Sequence, residues 1–150
     1  MKTQYLNPTA LYEPRFFTHA VSIEDGDKLV FVSGQVSYDR DGIVMGKGDV
    51  REQCEQVFKS LSHALRAAGA SWSDVVKMNG YMVDMAPAAL NVFREVRARY
   101  LDGKRMPAST LVGVERLVHE DLMLEVELVA AVSRKKAKPA KPAKKRSKAR

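Results

Sequence analysis

The sequence predicts an α+β domain in which two amphipathic helices cover one face of a mixed β-sheet. Two segments place apolar residues at spacings of three and four, which is typical of helices with one buried face. Several shorter segments rich in Val, Leu and Met have the length and pattern of strands. The chain has 150 residues, enough for one sizeable core and too few for two independent ones.

Two strands are predicted in the first third of the chain. Residues 28–36 are apolar on alternate positions of both faces, so this strand is expected to be covered on both sides. Residues 16–24 are predicted to pair with it through the turn Asp25-Gly26-Asp27.

The longer helix is predicted to begin at Asp49, because Glu52 follows three residues later as in a capping box. Gly69 is a typical C-terminal stop, which gives a helix of about 20 residues. Its apolar stripe consists of Val50, Cys54, Val57, Leu61, Ala64, Leu65 and Ala68.

The second half of the chain adds a strand at 75–84, a helix from Pro87 to about residue 101, and strands at 109–115 and 122–132. The predicted order is β-β-α-β-α-β-β. Two helices can cover only one face of such a sheet, whereas the strands are apolar on both. We therefore expect self-association to bury the second face.

Charge divides the chain into two parts. Of the 25 Lys and Arg residues, ten lie at 134–150, where there is no acidic residue, so residues 1–133 with all 18 Asp and Glu carry a net charge of −3. We expect a folded domain at 1–133 and a disordered basic tail at 134–150. The tail is either a solubilising extension or a segment that associates with nucleic acids without sequence specificity.

The sequence lacks the signals that are typical of several protein classes. No apolar run is long enough to span a bilayer, and no apolar stretch typical of a secretory signal is present near the N-terminus. Cys54 is the single cysteine, and none of the three histidines pairs with another at metal-binding spacing. A P-loop and a GxGxxG motif are missing too. We expect a cytoplasmic protein without a metal, a cofactor or a membrane partner.

The last strand carries two carboxylates on one face. Glu125 and Glu127 lie about 6–7 Å apart along it, and burying them would be costly. Either they sit at a solvated edge or pair with Arg or Lys, or one of them lines a cleft as a general acid or base. Which of the two would face a cleft stays open at this point, because a one-residue register shift exchanges the faces.

Taken in order and with their spacings, several segments resemble the reactive-intermediate deaminase family, RidA/YjgF, also called L-PSP endoribonuclease-like. The resemblance spans roughly residues 7–132. The segments are LVFVSGQV (29–36), GDVREQCEQVFKSLSHALRAAGAS (48–71), DVVKMNGYMVDM (74–85), LNVFREVRARYL (90–101), MPAST (106–110) and LMLEVELVAA (122–131).

This resemblance implies a chorismate-mutase-like fold and a homotrimer whose sheets form a central barrel. Small-molecule clefts would lie between the subunits. The activity it implies is hydrolysis of reactive enamines or imines to a 2-keto acid and ammonia, without a metal or an organic cofactor.

The resemblance also implies site residues. Glu125 matches a cleft glutamate thought to position or activate water, and Ser33 matches a cleft serine next to Gly34 in the SGQ motif. Asn91 matches a cleft asparagine, and Thr110 keeps a small hydroxyl. Glu125 and Ser33 are thus the candidate catalytic residues, and the others are candidates for substrate binding.

Two candidate substrate-binding positions depart from the family pattern. Phe17 replaces a tyrosine that is common in active members, and Ser109 replaces an arginine that binds the substrate carboxylate. An arginine donates two charge-assisted hydrogen bonds to a carboxylate, whereas serine donates one neutral bond. Altered specificity is therefore expected.

Three hypotheses follow from this departure. The protein hydrolyses imines or enamines that lack a carboxylate, or a related metabolite; it binds a metabolite without catalysis; or Arg105 or Arg116 substitutes for the missing cation. Dedicated ribonuclease activity is disfavoured, because residues 1–133 are net acidic and show no basic and aromatic pattern for base stacking.

Overall fold

The computed structural model describes residues 2–6, 20–24 and 28–133. Residues 16–19, the turn at 25–27 and the basic tail at 134–150 lie outside the described residues. The described elements are β1 (Lys2–Leu6), β2 (Ala20–Glu24), β3 (Lys28–Gln35), α1 (Val50–Ala67), a short 3-10 turn (Trp72–Asp74), β4 (Val75–Val83), α2 (Pro87–Ala98), β5 (Ala108–Val114) and β6 (Leu124–Val132).

The predicted α+β class is confirmed. Four strands form one sheet in the order β3-β6-β4-β5, with β4 and β5 parallel and the other pairs antiparallel. Buried side chains of α1 and α2 share one core with buried side chains of this sheet.

The predicted pairing of β2 with β3 is wrong. In the structure β2 pairs with β1, a strand that the sequence pattern did not predict, in a separate two-stranded sheet. The register runs from Lys2 opposite Glu24 to Leu6 opposite Ala20, and Lys2 and Glu24 form an exposed ion pair of 3.6 Å. The backbone of β2 is therefore paired with β1, and β3 instead pairs with β6.

The start and the end of α1 follow the sequence signals. The Asp49 side chain accepts hydrogen bonds from the backbone N–H groups of Arg51 and Glu52, at 2.9 and 3.1 Å. Gly69 has a φ of 67°, the left-handed conformation expected just beyond a helix. The helix itself has 18 residues.

An aromatic cluster joins the two helices to the chain segments beside them. The Phe58 ring lies 5.5 Å from that of Trp72 and 5.1 Å from that of Tyr100. The indole N–H of Trp72 donates to Ser62 Oγ at 2.9 Å, which makes Trp72 a packing residue with a satisfied donor. Cys54 lies in the same core, where burial raises the pKa of its thiol to about 12 and keeps it protonated.

Strand alternation gives the sheet one covered face and one open face. On β6, Leu124, Val126 and Leu128 are buried on the face that α1 and α2 cover, so their alternate neighbours lie on the other face. That open face carries exposed apolar residues on β3 and β5. Phe31 is 75% exposed, Leu29 52% and Val112 40%.

A buried glutamine holds two loops against α1. The side chain of Gln53, with no exposed surface, donates to the carbonyls of Gly46 and Asp121 and accepts from the N–H of Met123. These bonds satisfy backbone groups of the segments that lead into α1 and into β6.

Replacing Gln53 by Met should lower the free energy of unfolding by about 2–5 kcal/mol. The carbonyl of Asp121 and the N–H of Met123 lose their partner, and the carbonyl of Gly46 keeps only its bond from the Asp49 N–H. Denaturant unfolding followed by circular dichroism measures this change. Gln56→Met is the matched control, since it removes a single bond to the carbonyl of Tyr38 and should cost about 1 kcal/mol. Equal losses in the two variants would contradict the proposed role of Gln53.

Candidate functional site

The site begins with an irregularity in β3. Val32 pairs with Leu128 and Gln35 pairs with Val126, so one more residue lies on β3 than on β6 between these pairs. This is a β-bulge, and it sets Ser33 and Gly34 together opposite Glu127. The bulge thus brings the SGQ motif to the two carboxylates of β6.

Gly34 is required where the Glu125 carboxylate approaches β3. A Cβ atom built on Gly34 would overlap with Oε1 of Glu125. Both Glu125 and Glu127 are half-buried and lie on the open face. Among the described residues, none donates a hydrogen bond to the Glu125 carboxylate, whereas Glu127 accepts two.

Glu127 is fixed by two neutral donors of β4. Its Oε1 atom accepts a bond of 2.7 Å from Asn79 Nδ2 and one of 3.1 Å from the Tyr81 hydroxyl. This bond to Glu127, together with desolvation and the negative charge, raises the pKa of Tyr81 above its ordinary value of 10.0. Neither Lys nor Arg of the described chain forms an ion pair with Glu127.

A cavity of about 320 Å³ opens beside Glu127 on this face. Residues of three adjacent strands line it: Phe31, Val32, Ser33, Lys77, Asn79, Glu127, Leu128 and Val129. Lys77 donates to Thr110 Oγ1 at 2.9 Å. The structure thereby brings Ser33 and Glu127 to one cavity. Thr110 is connected to it through the hydrogen bond from Lys77, and Glu125 lies two residues from Glu127 along β6.

Sequence reasoning missed the three polar residues of β4. Lys77, Asn79 and Tyr81 alternate with Met78, Gly80 and Met82, which are buried on the helix side. This period-two pattern was the available signal, since it places all three polar side chains on one face of a central strand.

Two candidate residues lie on the other side of the sheet. Ser109 pairs with Met78, which has no exposed surface, so Ser109 belongs to the helix-side face. Asn91 is exposed on α2, whose Phe93 packs against the helix side of Gly80. Within one chain neither reaches the cavity beside Glu127. Phe17 lies outside the described residues.

The two arginines considered as substitute cations do not line this cavity. Arg105 lines a different cavity of about 390 Å³, together with Tyr5 and Asp74. Arg116 is exposed in the segment that follows β5. Among the described residues, no cluster of His, Cys, Asp or Glu could hold a metal ion, and no helix is long and apolar enough to cross a membrane.

Comparison with known proteins identifies the family. Residues 10–132 match the family model described as Endoribonuclease L-PSP. The chain belongs to the RidA/YjgF family. A solved structure of a Rid family protein of unknown function from Yersinia pestis superposes with a TM-score of 0.77 at 31% identity, covering 88% of this chain and all (100%) of that one.

Two curated relatives extend the comparison. A RutC family protein of Pyrococcus horikoshii is 36% identical over 112 residues, 75% of this chain and 85% of the relative. A mouse protein named 2-iminobutanoate/2-iminopropanoate deaminase is 29% identical over 114 residues, 76% of this chain and 79% of the relative. The RidA family match includes both helices and every strand of the four-stranded sheet.

The contact between Tyr81 and Glu127 predicts how the ionisation of Tyr81 depends on pH. One tyrosine of the wild type should ionise above pH 10, because the Glu127 carboxylate stabilises the neutral phenol. Glu127→Gln should bring this ionisation to lower pH. Absorbance near 295 nm, recorded during a pH titration, measures it.

Tyr81→Phe identifies the component that belongs to this residue, and Tyr38→Phe serves as the control because it leaves the Tyr81–Glu127 contact intact. An unchanged titration of Tyr81 in Glu127→Gln would contradict the hydrogen bond.

Proposed function

We propose that this RidA family member hydrolyses a small imine or enamine, releasing ammonia and a carbonyl compound. The observation that carries the proposal is the pair of carboxylates on the open face, Glu125 and Glu127, which differ in their hydrogen-bond donors. Oε1 of Glu127 accepts hydrogen bonds from Asn79 and Tyr81, whereas no described residue donates to the Glu125 carboxylate. The activity named for the mouse relative supports the reaction class.

In the proposed reaction a water molecule adds to the carbon of the C=N bond, which an enamine forms by moving a proton from its nitrogen to its β-carbon. Glu125 accepts one proton of this water as general base and returns it to the substrate nitrogen, which gives a carbinolamine. The carbinolamine hydroxyl then passes its proton through Glu125 to the nitrogen, the C–N bond breaks, ammonia leaves, and the oxygen of the former water becomes the carbonyl oxygen. One water is consumed and one ammonia is released. The Ser33 hydroxyl, at the bulge opposite Glu127, is proposed to hold the substrate or the water by a hydrogen bond.

Specificity is proposed to differ from that of family members that carry an arginine after Pro-Ala. Ser109 cannot replace the charge of an arginine, and it lies on the helix-side face of the sheet. Thr110 lies on the open face, where it accepts a hydrogen bond from Lys77. Gly34 lies against the Glu125 carboxylate. A substrate carboxylate would therefore need a different cation.

Hydrolysis should be tested with imino acids generated in situ by an amino-acid oxidase, with semicarbazide trapping the remaining imine. A neutral imine is assayed alongside. On whichever substrate is turned over, Glu125→Gln should lower kcat by about 100-fold or more, because the general base is lost. Glu115→Gln, an exposed carboxylate beyond β5, is the control.

Full activity of Glu125→Gln would remove its role as base. A ligand that raises the melting temperature but is recovered unaltered, with no imine hydrolysed, would identify a binding protein without catalysis instead.

The open sheet face is proposed to be buried by two further copies of the chain. Leu29, Phe31 and Val112 expose large apolar surfaces there, and their burial is the natural driving force for association. A closed ring of three copies would make a barrel from the three sheets. The cavity beside Glu127 would then lie near a subunit boundary.

The wild type should accordingly have the mass of a trimer in multi-angle light scattering. Phe31→Glu should shift this mass to that of a monomer, because a charge would be buried at the interface. Ile43→Glu is the matched control: Ile43 is 60% exposed in the segment between β3 and α1, and it belongs to no strand of the four-stranded sheet. A monomeric wild type would contradict the assembly.

A further inference from the structure

A second and larger cavity, of about 790 Å³, lies between α1 and the loop that joins β3 to α1. Among the described residues, none lines both this cavity and the one beside Glu127. Leu29, Phe31 and Val112, the exposed apolar residues of the open sheet face, do not line it either. Its volume is within the range of small-molecule sites, about 300–1,000 Å³. This loop cavity is therefore separate from the site of the proposed hydrolysis.

The loop wall of this cavity is held in place by hydrogen bonds. Tyr38 and Val44 form an antiparallel bridge across the loop. The Ser37 hydroxyl donates to the carbonyl of Met45 at 2.9 Å. The side chain of Gln56 donates to the carbonyl of Tyr38 at 2.9 Å, which connects the loop to α1. The shape of the loop cavity is therefore set by the protein itself, before any ligand binds.

The helix wall of the loop cavity carries three polar side chains. Lys59 and His63 are four residues apart on α1, so they are neighbours on one side of the helix, about 5–6 Å apart at their Cβ atoms. Ser60 lines the cavity with them. No ion pair or hydrogen bond joins these three side chains to another described residue. An ammonium group, an imidazole and a hydroxyl are thus available as donors on one wall.

The loop wall adds a second cation. Arg40 lines the cavity from the loop, and its guanidinium forms no ion pair within the described part of the chain. A guanidinium offers five N–H donors in a fixed plane. Two cations from different elements therefore line one cavity in a segment, residues 1–133, whose net charge is −3.

Two carboxylates near these cations have other partners. Asp39 lines the cavity, but its Oδ1 atom accepts two backbone N–H bonds of the loop, at 2.9 and 2.8 Å. Glu55 lies four residues before Lys59 on α1, and it forms an ion pair of 3.0 Å with Arg99. Arg40 and Lys59 are consequently not neutralised by a carboxylate of the described residues.

We propose that the loop cavity binds a phosphate monoester, with Arg40 and Lys59 as the residues that bind its phosphate group. A phosphate monoester carries nearly two negative charges and three terminal oxygens near neutral pH. It can therefore accept charge-assisted hydrogen bonds from both walls at once, and a further bond from His63. A carboxylate carries one charge and two oxygens, so it gains less from the same set of donors.

The rest of the lining suits the organic part of such a ligand. Tyr38 and Met45 line the loop wall, and Ala64 and Ala67 line the next turn of α1. An aromatic ring and a thioether pack well against flat apolar groups. The ligand is accordingly an organic phosphate, which should bind more tightly than inorganic phosphate.

Three probes separate the phosphate from the organic part: phenyl phosphate, inorganic phosphate, and benzoate as a monoanion with the same ring. Two-dimensional ¹H–¹⁵N NMR of the full chain measures their binding. Shifts of the Tyr38 and Ser60 amide signals report this cavity, and they distinguish it from phosphate bound by the basic residues at 134–150. The wild type should bind phenyl phosphate most tightly. Binding of neither phosphate at these signals, or equal binding of benzoate, overturns the proposal.

Arg40→Met and Lys59→Met should each weaken phenyl phosphate binding by about tenfold or more, because charge-assisted hydrogen bonds are lost. Both residues are exposed, so the variants should keep the melting temperature of the wild type. Arg66→Met is the matched control, since Arg66 is an exposed cation of α1 that does not line the cavity. Unchanged binding in Arg40→Met or Lys59→Met, or an equal loss in Arg66→Met, overturns the assignment.

A variant that should gain affinity completes the test. Asp39→Asn keeps a side-chain oxygen that can accept the two N–H bonds of the loop, but it removes the negative charge from the cavity. Phenyl phosphate should therefore bind about 2–5-fold more tightly. Unchanged or weaker binding, in a variant with the melting temperature of the wild type, contradicts the position of the phosphate beside Arg40 and Lys59.

Discussion

Strand β6 is the element on which the rest of the structure depends. It pairs with β3 on one edge and with β4 on the other, so its register is fixed from both sides. Leu124, Val126 and Leu128 are at most 2% exposed in the core under the helices. A shift of one residue would turn Glu125 and Glu127 into that core, at the cost of burying two carboxylates. Core packing therefore determines the position of the charged groups on the opposite face.

The β-bulge in β3 reconciles this register with the site. Val30 and Val32, before the bulge, are buried in the core. The additional residue then lets Ser33 and Gly34 approach the same stretch of β6 without moving those valines from the core. Gly34 has a specific purpose here, since any side chain at this position would occupy the space of the Glu125 carboxylate. The irregular part of the strand provides the site, and the regular part provides the stability.

Periodicity was sufficient for the elements that contribute to the main core. The boundaries of α1, α2, β3, β4, β5 and β6 lie within a few residues of those predicted, because each element has an apolar face and clear turn or capping residues. The pairing of β2 was not predictable in the same way. β1 has five residues, none of them buried, so it shows little apolar pattern, and strand pairing depends on contacts that a single sequence does not reveal.

The candidate site was predictable where a strand pattern was strong. Alternation on β6 correctly placed Glu125 and Glu127 on one face, and the resemblance to the RidA family drew attention to Ser33 and Gly34. The contribution of β4 was missed because Lys77, Asn79 and Tyr81 are ordinary solvent-facing residues in a sequence. They can be recognised as site residues only when β4 is known to lie beside β6, in the antiparallel register that sets Asn79 opposite Glu127.

The arrangement of β4 and β5 also explains how the site contains a positive charge although Ser109 is neutral. Successive residues of a strand point to opposite faces, so Ser109 and Thr110 of β5 serve different sides of the sheet. β5 is an edge strand, and in the proposed trimer its residues would lie near a subunit boundary. Lys77 belongs to the neighbouring strand, where Thr110 fixes its ammonium on the open face. The positive charge thus comes from β4, inside the same chain that supplies Glu127, and it does not depend on the residue that follows Pro-Ala on β5.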